Sequence, residues 1–208
     1  YPIHSLNVVA HIRKATHGDI RLENTHPFQR ELWGRYWIFA HNGHLLDYQP
    51  KLNSRFQPVG TTDSERAFCH ILQTLAERFP NQPSPRELFQ ALRELAIEIS
   101  AHGEFNFLLS NGERLFAHSS ARLTYIIRQA PFTVAHLSDQ DVSVDFTELT
   151  TPNDRVAIIA TLPLTDNEVW TPIPAGNLLS FHLGAPEDLG ETRTLPRQLT
   201  DMTGINNS

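Results

Sequence analysis

Phe107-Leu108-Leu109-Ser110-Asn111-Gly112-Glu113-Arg114-Leu115-Phe116 reads as two apolar runs joined by a turn. Asn-Gly tolerates positive φ at both central turn positions, so the runs are expected to fold back as an antiparallel hairpin closed at Asn111-Gly112. Working outward, runs rich in β-branched and aromatic residues recur at 8–13, 36–41, 104–110, 114–118, 124–128, 142–146, 155–161 and 178–183. Most of the chain therefore reads as sheet. The run Leu6-Asn7-Val8-Val9-Ala10-His11-Ile12 reads as a buried strand. No initiator methionine precedes Tyr1, and a chain that enters at once into such a strand is expected to have further sequence upstream.

Two helices interrupt the strands. Thr62-Asp63-Ser64-Glu65 reads as a capping box ahead of Phe68, Ile71, Leu72, Leu75 and Phe79 at helical spacing. Ser84-Pro85-Arg86-Glu87 places a cap, a proline at the first helical position and a returning glutamate before Leu88, Ala91, Leu92, Leu95 and Ile99, with Gly103 as the stop. Antiparallel strands with an adjacent helix pair indicate an α+β layered fold, helices covering a sheet face. A chain of 208 residues supports one sizeable core, so one domain is expected over 1–184. Beyond Gly184 the apolar pattern fades, and 185–208 reads as a polar, mobile tail.

Seventeen Lys and Arg against 23 Asp and Glu give a formal charge of -6, which repels a phosphate backbone, so nucleic acid is not an expected partner. No run approaches the length of a membrane span, and one cysteine cannot make an internal disulfide, so a cytoplasmic location is expected. Eleven histidines raise the question of metal. Without a His-Glu-x-x-His helix or cysteine pairs their spacing carries no ligand set, and no metal or cofactor is expected. Cys69, mid-helix beside Phe68, reads as small apolar filling.

Three stretches look unlike structural filler: Arg13-Lys14-Ala15-Thr16-His17-Gly18, Ala40-His41-Asn42-Gly43 and Gly60-Thr61-Thr62-Asp63-Ser64-Glu65. Each stands at a strand end or helix start, where side chains and backbone N–H groups are free of ladder duties. Arg13 carries a planar fork suited to a carboxylate, and Asp63 a carboxylate suited to an ammonium group. Asn42-Gly43 offers an amide and a backbone N–H of the kind that stabilises an oxyanion. Taken singly, each has a plainer reading: a surface arginine lying over the core, a first-turn acid, a simple β-turn. Together, an anion receptor, a cation receptor and an oxyanion pair are what an amino acid with a scissile side-chain amide requires.

At these residues the sequence resembles the class II glutamine amidotransferases, a branch of the N-terminal-nucleophile hydrolases. The likeness continues through Asn24-Thr25-His26-Pro27-Phe28, Arg30-Glu31-Leu32-Trp33-Gly34-Arg35, Gly103-Glu104-Phe105-Asn106 and Pro163-Leu164-Thr165-Asp166-Asn167-Glu168. It is strongest to the small stand-alone bacterial members, which carry no synthase domain. The resemblance implies a four-layer αββα sandwich of two antiparallel sheets. It makes Arg13 the binder of glutamine's α-carboxylate and Asp63 that of its α-ammonium, with Thr16 and His17 lining the pocket. Asn42 and Gly43 become the oxyanion hole. In that family the nucleophile is a cysteine exposed as residue one, its own α-amine acting as base. Residues 1–208 begin Tyr1-Pro2-Ile3, so that cysteine and its glycine-rich loop are expected outside them and the chain alone is expected to be inactive.

The expected partner is a small molecule, glutamine or a γ-glutamyl compound. A homo-oligomer or a separate ammonia-accepting synthase are the protein partners this reading leaves open. A γ-glutamyl amide hydrolase acting on a peptide or thiol compound such as glutathione would use the same receptors. From another class, a catalytically inactive γ-glutamyl-binding module would keep the pocket without the nucleophile.

Overall fold

A computed structural model describes residues 5–12, 21–139, 141–145 and 151–190. In chain order its strands and helices are β1 (Phe28–Leu32), β2 (Arg35–Leu45), α1 (Asp63–Arg78), α2 (Pro85–Ser100), β3 (Gly103–Ser110), β4 (Arg114–Ser119), β5 (Thr124–Gln129), β6 (Ala135–His136), β7 (Ser143–Val144), β8 (Arg155–Ala160), β9 (Thr171–Pro172), β10 (Asn177–His182) and β11 (Ala185–Glu187).

The larger sheet has six strands in the order β1-β2-β3-β4-β10-β11, each neighbour antiparallel. Alternation along its strands separates two buried faces. Trp37, Phe39, Phe105, Phe107 and Phe116 point to one side, where they pack with Phe68, Ile71 and Leu72 of α1 and Leu88, Leu92 and Ile99 of α2. Phe39 and Phe68 stack with ring centroids 5.1 Å apart. Leu115, Ala117, Leu179 and Phe181 face the other way, against Tyr125, Ile127, Ala157 and Ile159 of the second sheet, β8-β5-β9, and Leu123 and Ile173 beside its strands. The fold is thus α+β, two antiparallel sheets face to face with a helix pair on the outer face of the larger. The second helical layer of an αββα sandwich has no counterpart among the described residues.

The helix starts follow their sequence signals. Ser84 and Glu87 form a complete reciprocal box, the Glu87 carboxylate accepting the Ser84 N–H at 2.9 Å. Thr62 caps α1 by accepting the Glu65 N–H at 3.2 Å, worth about 1 kcal/mol. The reciprocal half is not made there, because the Glu65 carboxylate is turned to other donors. Helix α2 ends at Ser100 with Ala101 as its C-cap, ahead of Gly103, which opens β3.

Several expectations need correction. The hairpin between β3 and β4 forms, but Asn111 N–H donates to the Arg114 carbonyl at 3.2 Å, so Gly112 and Glu113 occupy its centre. Gly112 alone takes positive φ there, at 85°, while Asn111 uses its side-chain oxygen to accept the N–H groups of Glu113 and Arg114. Positive φ at both central positions occurs instead at Trp33-Gly34, at 57° and 73°, which joins β1 to β2, and at Leu183-Gly184, at 47° and 73°, which joins β10 to β11. Strand β1 was not expected: only Phe28 and Leu32 of its five residues are fully buried, too few for a clear alternation. Residues 5–12 form no strand; Leu6, Val8 and Ile12 are exposed and only alternate positions turn inward, Asn7 donating to the Gly112 carbonyl at 3.1 Å. An apolar run does not become a strand without a neighbour to share its ladder. Ala185–Glu187, placed in the tail on composition, pairs with β10 as an edge strand, where Pro186 is tolerated and Glu187 bonds Arg114 at 2.9 Å.

Candidate functional site

Strand β2 is longer than the strand before it. Its pairing with β1 stops at Phe39, so residues 40–45 continue beside β3 alone. The N-terminus of α1 enters this gap. Asp63, the first residue of α1, accepts the Leu45 N–H on Oδ2 at 2.7 Å and the Ser64 N–H on Oδ1 at 2.8 Å, with His44 Nδ1 3.6 Å away. Its carboxylate thus ties strand end to helix start and stays partly open, in the first turn where the helix dipole favours negative charge. An ionised carboxylate has about four acceptor positions, so these contacts leave room for an incoming cation.

The loop before α1 is fixed by residues distant in sequence. Glu65, 1% exposed, accepts the N–H groups of Val59 and Gly60 at 3.0 and 2.7 Å and forms an ion pair with Arg30 of β1. Asn24, also buried, accepts the Thr61 N–H at 2.9 Å. Gly60 permits this approach, since a Cβ there would lie 2.3 Å from Asn24 Oδ1 and 2.6 Å from the Glu23 carbonyl.

Asn42 and Gly43 sit within β2 rather than in the turn a simple Asn-Gly reading suggests. The pair belongs to the ladder, opposite Asn106 and Phe105. Gly43 has φ 151°, and a Cβ on it would lie 1.9 Å from the Glu104 carbonyl oxygen, a distance no side chain can occupy. The Asn42 side chain is exposed, while its carbonyl accepts from Asn106 Nδ2 at 3.0 Å. Asn106, buried between Phe105 and Phe107, also accepts the N–H groups of Ser120, Ala121 and Arg122 at 3.0, 3.0 and 3.2 Å. It thereby locks the turn after β4 to the strand beneath Asn42.

These elements enclose a cleft of about 630 Å3 whose walls include Asn42, Gly43, Asp63, Ile12, Tyr48 and Arg66. Three of the six residues proposed on sequence grounds, Asn42, Gly43 and Asp63, therefore share one cavity. Arg13, Thr16 and His17 lie outside the described residues. Among the described residues no group of three or more His, Cys, Asp or Glu is arranged to hold a metal ion. Cys69 is buried in the core beside Phe68, and burial pushes its thiol up to about 11, leaving it inert as a nucleophile at neutral pH. Sequence reading missed Arg30, Asn24 and His41 as supports of the cleft, since each acts on residues far along the chain. Asn106 carried one signal, a polar residue amid Phe105, Phe107 and Leu108.

What the cleft can do chemically follows from its parts: a half-open carboxylate at a helix start, and across from it an exposed amide beside a glycine backbone. Such groups are suited chemically to a cation and to a polarised carbonyl oxygen. The family model for "Glutamine amidotransferases class-II" matches residues 1–204. The chain is 46% identical over 201 residues to a Haemophilus influenzae protein named "Putative glutamine amidotransferase", covering 97% of this chain and 68% of that protein. To the Escherichia coli protein named "Putative glutamine amidotransferase YafJ" it is 52% identical over 185 residues, 88% of this chain and 72% of that one. A crystal structure described as a "predicted glutamine amidotransferase" from Pseudomonas aeruginosa superposes with TM-score 0.74 at 48% identity, over 79% of this chain and 65% of the other. The chain thus spans about two thirds of the length of these proteins. With a family match across nearly its whole length, this chain belongs to the class II glutamine amidotransferases.

Proposed function

We propose that this domain binds glutamine and cleaves its side-chain amide to give glutamate and ammonia. The observation that carries the reading is the placing of Asn42, Gly43 and Asp63 on one cleft by two different elements, β2 and the start of α1. In this reading Asp63 receives the α-ammonium and Arg13 the α-carboxylate, with Thr16 and His17 lining the pocket between them. Ile12, the chain neighbour of Arg13, lines the cleft and supports that placement. Asn42 Nδ2 and the Gly43 N–H receive the amide oxygen. Leu46 N–H donates to the His102 carbonyl while Leu45 N–H turns to Asp63, and two-residue alternation assigns the Gly43 N–H to the Leu45 edge, facing the cleft.

In this reading the nucleophile is a cysteine thiolate, as the family resemblance implies, and not Cys69, whose thiol burial pushes up to about 11. The thiolate attacks the side-chain amide carbon, and the oxygen takes the electron pair and leans on Asn42 and Gly43. The C–N bond then breaks, its nitrogen gaining a proton to leave as ammonia. Water hydrolyses the remaining γ-glutamyl thioester to glutamate. We place the protein in the cytoplasm, in keeping with its lone free thiol, and no helix of the described residues is long and apolar enough to cross a membrane.

A γ-glutamyl peptide or thiol compound is the second reading, favoured by one observation. The lining of the cleft also includes Asp47, Gln49 and Arg66, polar side chains beyond those assigned to glutamine. The deciding experiment offers glutamine and γ-glutamyl peptides to the full-length protein and measures ammonia and glutamate. Ammonia release from glutamine that is abolished by Asp63→Ala supports the proposal; cleavage of peptides alone defeats the glutamine assignment. Residues 1–208 by themselves are expected to release no ammonia above a blank.

A further inference from the structure

We infer that His41 is a positioning residue which, through Ser64, locks the oxyanion segment Asn42-Gly43 and the Asp63 carboxylate into one rigid frame. The inference rests on the reading of the cleft as a glutamine site, but its geometry is independent of that reading.

His41 is 3% exposed and precedes Asn42 directly on β2. Its Nε2 lies 3.0 Å from the Glu104 carbonyl oxygen, which can only accept, so Nε2 carries the proton. Nδ1 is then bare, and 2.8 Å away Ser64 Oγ must donate to it. Ser64, 5% exposed, gives its N–H to Asp63 Oδ1, while Asp63 Oδ2 takes the Leu45 N–H. The hydrogen bonds therefore close a ring: Asp63, Ser64, His41, then along β2 through Asn42 and Gly43 to Leu45, and back to Asp63. Glu104, whose carbonyl anchors the ring's imidazole, is the residue a Gly43 side chain would strike, and such a Cβ would also lie 2.8 Å from His41 Nε2.

One imidazole thus fills the space beside Gly43 and fixes the strand's height against both β3 and α1. The two receptors grip opposite ends of one substrate, so their separation must match the length of a glutamine side chain. A frame of buried hydrogen bonds holds that separation more closely than exposed loops could. With neutral His41 the Ser64 hydroxyl donates to Nδ1; Asp63 Oδ1, 3.4 Å from the same oxygen, is its alternative acceptor.

Ser64→Ala removes the hydroxyl and leaves the Ser64 N–H bond to Asp63 intact. In the full-length protein this substitution should lower kcat for glutamine hydrolysis about tenfold with KM changed less than about threefold, and Ser64→Thr should restore most of the loss. Active sites are counted with a γ-glutamyl affinity label, so misfolding is separated from misplacement. A kcat within about twofold of the parent, or one that falls only in proportion to the active-site count, overturns the inference. If the parent protein hydrolyses no glutamine, the functional reading fails and a second readout still judges the frame. Imidazole 15N spectra of the full-length protein should show His41 as the Nε2–H tautomer, and Ser64→Ala should shift the Asn42 and Gly43 amide resonances. The other tautomer, or unmoved amides, refutes it.

Discussion

Replacing Gly43 by alanine should separate the frame of the cleft from its chemistry. A Cβ at this position would come within 1.9 Å of the Glu104 carbonyl oxygen, 2.6 Å of its carbon and 2.8 Å of His41 Nε2. Two of these three atoms are backbone of Glu104, in the paired first residues of β3, so relief requires β2 to part from β3 there. Overpacking of this kind costs about 1–3 kcal/mol. The residue's φ of 151° adds strain for any L side chain, of order 1–3 kcal/mol. A total of about 2–6 kcal/mol is a large part of the roughly 5–15 kcal/mol that holds a domain together. At about 2–4 °C per kcal/mol for a domain of this size, melting should fall by about 4–24 °C. Thermal unfolding followed by circular dichroism measures the shift. A melting temperature within about 1 °C of the parent would show that β2 does not approach Glu104 as described, and would remove the basis for Gly43 as an oxyanion donor.

Asn42→Ala, by contrast, changes an exposed side chain and should alter stability by less than about 0.5 kcal/mol while lowering kcat of the full-length enzyme by about 100- to 1000-fold; stopped-time ammonia assays beside a melt test the split. Glu65→Ala strands Arg30 and two backbone N–H groups, and should cost about 3 kcal/mol in chemical denaturation while raising KM for glutamine as the loop before α1 loosens. Acid should destabilise the fold through its histidines. Burial holds His41 below its ordinary value, against the opposing pull of the Glu104 carbonyl, Asp63 and the Glu104 carboxylate and with the aid of His11, and burial likewise lowers His118. The unfolded chain then takes up protons below about pH 6.5 that the fold refuses, so these two groups lose stability as pH falls from there towards their folded values. Denaturant midpoints measured from pH 7 to 5 should decline, and a His118→Asn variant should decline less steeply.

Sequence carried the local features of this fold better than the distant ones. The cap at Ser84 and its returning Glu87 act within one turn, and they appear as read. Glu65 obeys a different master: its buried carboxylate is claimed by Arg30, thirty-five residues away, and by the Val59 and Gly60 backbone, which no capping rule foresees. The Asn42-Gly43 pair illustrates the same limit. Local turn chemistry favours a bend there, yet pairing with β3 on one side extends the strand through it, and only the glycine's approach to Glu104 explains why glycine is needed. Residues 6–12 fail for the opposite reason, having strand-like composition without a partner ladder among the described residues. Of the cleft, the chemical types at 42, 43 and 63 were legible; the buried support from Asn24, His41, Ser64 and Asn106 was not, because those contacts exist only once the chain has folded.

The most direct test is a crystal structure of the full-length protein with a γ-glutamyl ligand bound. The account predicts the ligand's ammonium within hydrogen-bonding distance of the Asp63 carboxylate and its side-chain carbonyl oxygen facing Asn42 and the Gly43 N–H. A ligand seated away from this cleft, or lying in it with the two ends exchanged, would contradict it.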